Sequence, residues 1–176
     1  MKWRAFEFNG TTYDLKHLDP VTLRFERSLQ GDKPPEVHKV DVFFTSHCFT
    51  CKPKPDQSYD EKLVYPDDYE KRLFDFRRYE LSKGLPAIIR NLPDRKPRQN
   101  DGEQRFFTVE IIDEDQHKIE YDVFFKVRKA GKGKLEMIVE SAFVRDPEHQ
   151  SSRPKGRPIS FWIILHNTLH GRKIRK

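Results

Sequence analysis

The sequence predicts an α+β fold, a mostly antiparallel sheet with one main helix packed on one face. Three observations carry that expectation. Apolar and polar residues alternate along most of the chain, which is the period of a half-buried strand. One segment alone shows the 3–4 spacing of an amphipathic helix. The strand-like runs are joined by short turns, which implies antiparallel neighbours with the helix covering one face.

The elements follow in order. Phe6 and Phe8 alternate with Glu7, Asn9-Gly10 supplies hairpin turn chemistry, and Thr11 to Tyr13 returns as a strand. Val21, Leu23 and Phe25 form the apolar side of a second run, which Gly31 to Pro35 breaks. Val37 to Thr45 is a further strand, with Val40, Val42 and Phe44 on one face and Phe43 on the other. Residues 52–66 hold Pro53, Pro55 and Pro66 and read as an extended loop. The helix is expected over 67–83, opened by Asp67 or Asp68 after Pro66, with Gly84 as its left-handed cap. A second polar loop covers 93–104.

A meander is expected over 105–170. Phe107, Val109 and Ile111 form one stripe, and Ile119 to Val127 is the cleanest alternation in the chain. Leu135, Met137 and Val139 form the next, with Glu136 and Glu140 on the reverse face. Ile159 to Leu169 fits a strand or a helix. The whole reads as a single domain, 1–176, with N-terminal strands over 1–51 and a basic tail over 171–176.

Charge is placed unevenly. The 176 residues carry 34 Lys+Arg and 28 Asp+Glu, a net +6. From Arg145 onward there are eight cations and two anions, so the first 144 residues are neutral. A neutral body with a basic end offers a local field to phosphate or to an acidic partner. No apolar run approaches the roughly 20 residues of a membrane span, and the charged N-terminus does not read as a secretory signal. Two cysteines in close sequence give no disulfide framework, so a reducing cytoplasm is expected. No phosphate-cradling GxxxxGK[ST] loop is present, and no cofactor is expected.

Four groups of residues can carry chemistry. His47, Cys48 and Cys51 could hold zinc, but a structural site needs a fourth ligand and the sequence offers no second CxxC, so no metal is expected. His47 suits general acid or base work where a strand meets a loop. Arg72, Arg77, Arg78 and Lys83 could face phosphate from the helix, or pair with Glu70, Asp75 and Glu80 across helical spacings. Lys126, Arg128, Glu136, Glu140 and Arg145 lie on or near the polar face of the meander, where cross-strand ion pairing is the ordinary arrangement. Finally, His166 and His170 share one side of the last element in either geometry, followed by Arg172, Lys173, Arg175 and Lys176.

These sets suit RNA cleavage, in which a base takes the 2′-OH proton, an acid protonates the leaving oxygen and cations stabilise the phosphorane. The helix of 67–83, followed by strands near 105–112, 118–128, 134–144 and 159–170, resembles the superfold of small metal-independent ribonucleases. That superfold includes barnase, EndoU, the colicin nucleases and RelE-type toxins. The resemblance implies a toxin-like ribonuclease of phage or plasmid flavour, RNA as substrate and a cognate inhibitor protein as partner. The expected catalytic residues are His47, Glu140 and His166. Arg78, Arg128, Arg145, His170 and Arg172 are the expected substrate contacts. The competing expectation is a non-catalytic module that binds nucleic acid or an acidic protein through the basic end.

Overall fold

The computed structural model describes residues 2–67, 70–99, 105–112, 118–131, 133–144 and 156–173. It is α+β, with mostly antiparallel strands. Strands β1 (Phe6–Phe8) and β2 (Thr11–Tyr13) form the expected hairpin. Asn9 and Gly10 both take positive φ, 48° and 79°, the conformation a tight hairpin turn demands.

The main sheet has six strands. They are β3 (Val21–Arg27), β4 (Glu36–Phe44), β8 (Arg98–Gln99), β9 (Arg105–Ile112), β10 (Lys118–Lys129) and β11 (Leu135–Val144), in the order β3-β4-β11-β10-β9-β8. All neighbours are antiparallel except β4 and β11, which run parallel from Val40↔Leu135 to Phe44↔Val139. The inner face carries Phe25, Val40, Val42, Phe44, Leu135, Met137 and Val139, as the alternation predicts. The outer face carries Arg128 to Glu136 at 2.5 Å and Lys126 to Glu140 at 2.6 Å. Opposite β10, the register steps from Phe124↔Ser141 to Phe125↔Val139, so Glu140 is the extra residue of a β-bulge. Beyond it the inward parity of β11 switches, and Ala142 becomes fully buried.

A small sheet, β5 (Thr50–Cys51), β7 (Arg72–Phe74) and β6 (Val64–Tyr65), lies beside the end of β4. It corrects the expected helix over 67–83. Arg72, Leu73 and Phe74 are extended, all buried, and paired with β5 and β6. That tertiary pairing overrides the helical spacing of Leu73 and Phe76. Helix α1 (Phe76–Ser82) starts only at Asp75, whose carboxylate accepts from Arg78 N–H at 3.0 Å. Gly84 has φ −79°, so it is no left-handed cap; it passes the chain directly into α2 (Leu85–Arg90).

The last element is helix α3 (Phe161–Leu169), which resolves the open choice and removes 159–170 from the meander. Phe161, Trp162, Ile164 and Leu165 bury one stripe, while Ile163 stays half exposed. Phe161 packs edge-on to Phe25 and Trp162 lies near His38, so α3 covers the inner sheet face. A second apolar centre is aromatic. Phe74 stacks on Phe6 at 4.2 Å and touches Tyr13, Phe49, Phe76 and Tyr79 within 6.2 Å, tying the N-terminal hairpin to β7 and α1. No helix of the described residues is long and apolar enough to cross a membrane.

Candidate functional site

The chain leaves β4 through a short 3-10 turn, Ser46–Cys48. Thr45 fixes that exit. Its hydroxyl donates to the Glu140 carbonyl at 2.6 Å and accepts from His47 N–H at 3.3 Å. The bulge on β11 therefore holds the turn that presents His47.

His47 Nε2 lies 2.9 Å from Glu70 Oε1. The same carboxylate accepts from Arg72 Nη1 at 2.6 Å and pairs with Lys52 at 3.1 Å. The Lys52 and Arg72 hydrogen bonds hold Glu70 down at about 2, so it is ionised at any ordinary pH. Partial burial, then the Arg72 cation, pushes His47 below its usual value. The neutral ring thus donates from Nε2 to Glu70, which leaves Nδ1 as a proton acceptor. Arg72 itself is buried. It donates from Nε to Thr50 Oγ1 at 2.6 Å and from Nη2 to Thr50 O at 3.1 Å. It is a clamp, contrary to its expected place on an exposed helix surface.

Cys48 is fully buried with its sulfur 3.7 Å from the Val139 carbonyl, and burial pushes its thiol up to about 12. A thiolate ligand is out of reach there. Among the described residues no three His, Cys, Asp or Glu side chains converge in a metal-binding geometry.

Next to this cluster is a cleft of about 950 Å³ between the 51–63 segment, α1 and the ends of β10 and β11. Five cations line it, Lys52, Lys54, Arg77, Arg78 and Lys118, against Asp75 and Glu120. Lys54, Arg77 and Lys118 are exposed. None of those three makes an ion pair with a described residue. Tyr59 adds an aromatic ring, and Phe143 lies in the wall, stacked on Phe124 at 5.6 Å. Arg78 spans both regions. Its Nη1 donates to the carbonyls of His47 at 3.2 Å and Thr50 at 2.9 Å, and its guanidinium lies 5.2 Å over Phe143.

The expected catalytic set does not converge. His166 contacts Glu36 at the start of β4, whereas His47 follows its end. Eight residue steps of strand separate the two, roughly 26 Å at ~3.3 Å per residue. The side chain of Glu140 pairs with Lys126 on the outer sheet face, and that of Arg128 with Glu136, the ordinary cross-strand arrangement. His170 and Arg172 lie at the far end of α3 with His166, and Arg145 lies outside the described residues. Only Arg78 and His47 stand together.

Glu70 and Arg72 as partners of His47 were missed, because Glu70 lies 23 positions further along the chain and returns to the turn only through β5–β7 pairing. Lys54 and Lys118 sit in unrelated segments, and only the fold joins them. Two local signals mark this place, a CxxC beside a histidine and a histidine where a strand meets a loop, and the second leads to the imidazole that reaches solvent.

Compared with known families, the chain matches the YjaZ family over residues 5–169, and it belongs to that family. No curated protein and no solved structure matches it.

Proposed function

We propose that the protein is a nucleic-acid-binding module that takes single-stranded RNA in the cleft beside His47. The observation that carries this reading is the set of three exposed cations, Lys54, Arg77 and Lys118, without an ion-pair partner among the described residues, around a cleft that also holds Tyr59. A basic groove tracks the phosphates, and aromatic faces stack the bases. Three phosphate contacts give a log–log salt slope of about −2, at ~0.7 released counterions per contact on single strands. Fluorescence anisotropy with a labelled RNA oligonucleotide at several salt concentrations tests it. The triple variant K54A/R77A/K118A should bind at least tenfold more weakly with a flatter slope. Equal affinity and slope in the variant end this reading.

RNA cleavage is the second reading, favoured by the neutral His47, whose Nδ1 has no hydrogen bond to a described residue. That nitrogen would take the 2′-OH proton, the alkoxide would attack phosphorus, and a protonated group would supply the leaving 5′ oxygen with its proton. His166 stands too far away for that last role, so His47 would have to return the proton itself. Incubation with total RNA in EDTA tests it: product formation that His47→Ala abolishes supports cleavage, and intact RNA refutes it.

A further inference from the structure

We propose that His166 and His170 form a two-imidazole site for a borderline divalent cation, Zn²⁺, Ni²⁺ or Cu²⁺, at the C-terminal end of α3. The inference rests on a different part of the molecule from the RNA cleft and stands without it.

The two rings sit at i and i+4, one helical turn apart, and stack with centroids 4.3 Å apart and planes 30° apart. Neither is locked in the core: His170 is exposed and the His166 side chain is 41% exposed. Their Nδ1 atoms are both engaged. His170 Nδ1 lies 2.8 Å from the His166 carbonyl oxygen. A carbonyl can only accept, so that nitrogen carries the proton and Nε2 keeps its lone pair. His166 Nδ1 faces Glu36 Oε1 at 3.4 Å. The carboxylate's field favours the proton on that nitrogen too, leaving the second Nε2 as a donor to metal. A ligating histidine usually has this arrangement, with its other ring nitrogen directed at a carboxylate or a backbone carbonyl. Neither Nε2 hydrogen-bonds to a described residue.

Glu36 is itself anchored. Its Oε2 accepts from Arg27 Nε at 2.7 Å and Nη2 at 2.6 Å, and its Oε1 pairs with the buried His38 at 2.8 Å. The carboxylate behind His166 is therefore held rigidly, while His170, as the exposed helix C-cap, can turn its ring to bring both nitrogens to one ion. Imidazole selects Zn²⁺, Ni²⁺ and Cu²⁺ over Ca²⁺ and Mg²⁺, which require oxygen ligands. No third His, Cys, Asp or Glu of the described residues joins the pair, so water completes the coordination. With only two protein ligands, and with Arg172 and Lys173 just beyond, the affinity expected is micromolar.

Calorimetric titration of the full chain with Zn²⁺ and with Ni²⁺ tests the site, with Mg²⁺ as the control cation. The expected result is one ion per chain. His170→Ala and His166→Ala should each weaken binding at least tenfold, and Glu36→Gln by about tenfold through loss of the carboxylate that orients His166. The exposed His170 can be replaced without touching the core, so that variant decides. Substoichiometric Cu²⁺ should broaden the ring resonances of His166 and His170 in NMR spectra and spare His47. Unchanged affinity in His170→Ala, or binding abolished by His47→Ala instead, overturns the proposal.

Discussion

The two ends of β4 carry the same three residue types turned inside out. At its C-terminal end, Arg72 is buried (3% exposed) and the imidazole of His47 reaches solvent (40%), with Glu70 between them. At its N-terminal end, the imidazole of His38 is buried (3%) and Arg27 reaches solvent (40%), with Glu36 between them. A histidine–carboxylate–arginine trio is thus no indicator of chemistry by itself. What matters is which member faces water. At the first end the arginine is structural and the imidazole is free to act on a ligand. At the second, His38 is structural, and Arg27 rests 5.0 Å over the Trp162 ring, pinning α3.

Replacing Phe74 with Ala should break the first end most completely. It removes the hub of the aromatic centre and should cost about 4 kcal/mol, in the range of buried Phe truncations. Urea denaturation followed by fluorescence measures it; a loss below about 1 kcal/mol contradicts the role given to that cluster. Arg72→Met should cost about 3 kcal/mol, since buried Thr50 loses two charge-assisted hydrogen bonds. It should also release Glu70 upward from about 2, which carboxyl NMR titration reads. Arg27→Met, at the second end, should cost only about 1 kcal/mol, because its side chain is partly exposed and Glu36 keeps His38. If Arg27→Met proves the costlier of the two arginine variants, the contrast between the ends collapses.

The smallest effect is one of pH. His47 titrates lower when folded than its ordinary 6.5. Below 6.5 the unfolded chain takes up a proton that the folded chain refuses, so this residue's contribution favours unfolding as pH falls. His47→Gln should therefore lose less stability than the parent between neutral pH and pH 5. Parallel pH profiles for the two would contradict the assignment.

Much of the scaffold was legible from local pattern. Asn9-Gly10 marked its turn, and Leu135, Met137 and Val139 are inward as their spacing demands. The failures share a physical cause. Arg72–Phe74 became a strand because β5 and β6 flank it, and no window around those residues contains that information. Phe161 to Leu165 has enough apolar residues to satisfy either period, and docking on the sheet made it helical. For the candidate site, His47 and Arg78 were visible as residue types. Their surroundings depend on the β4–β11 pairing, the bulge at Glu140 and the return of the 52–66 loop, all of which are long-range.

The parallel pairing of β4 with β11 also has a consequence in time. Thr45 meets Glu140 across 95 residues of chain. During synthesis at roughly 5–20 residues per second, β4 must wait about 5–20 s for its partner. Throughout that interval one edge of a β3–β4 hairpin bearing Val40, Val42 and Phe44 is open to other chains. Lys39 and Asp41, which alternate with Val40 and Val42 along β4, act as charged gatekeepers over that window. The slowest and most aggregation-exposed step of folding should thus be the closure that also creates the turn at His47.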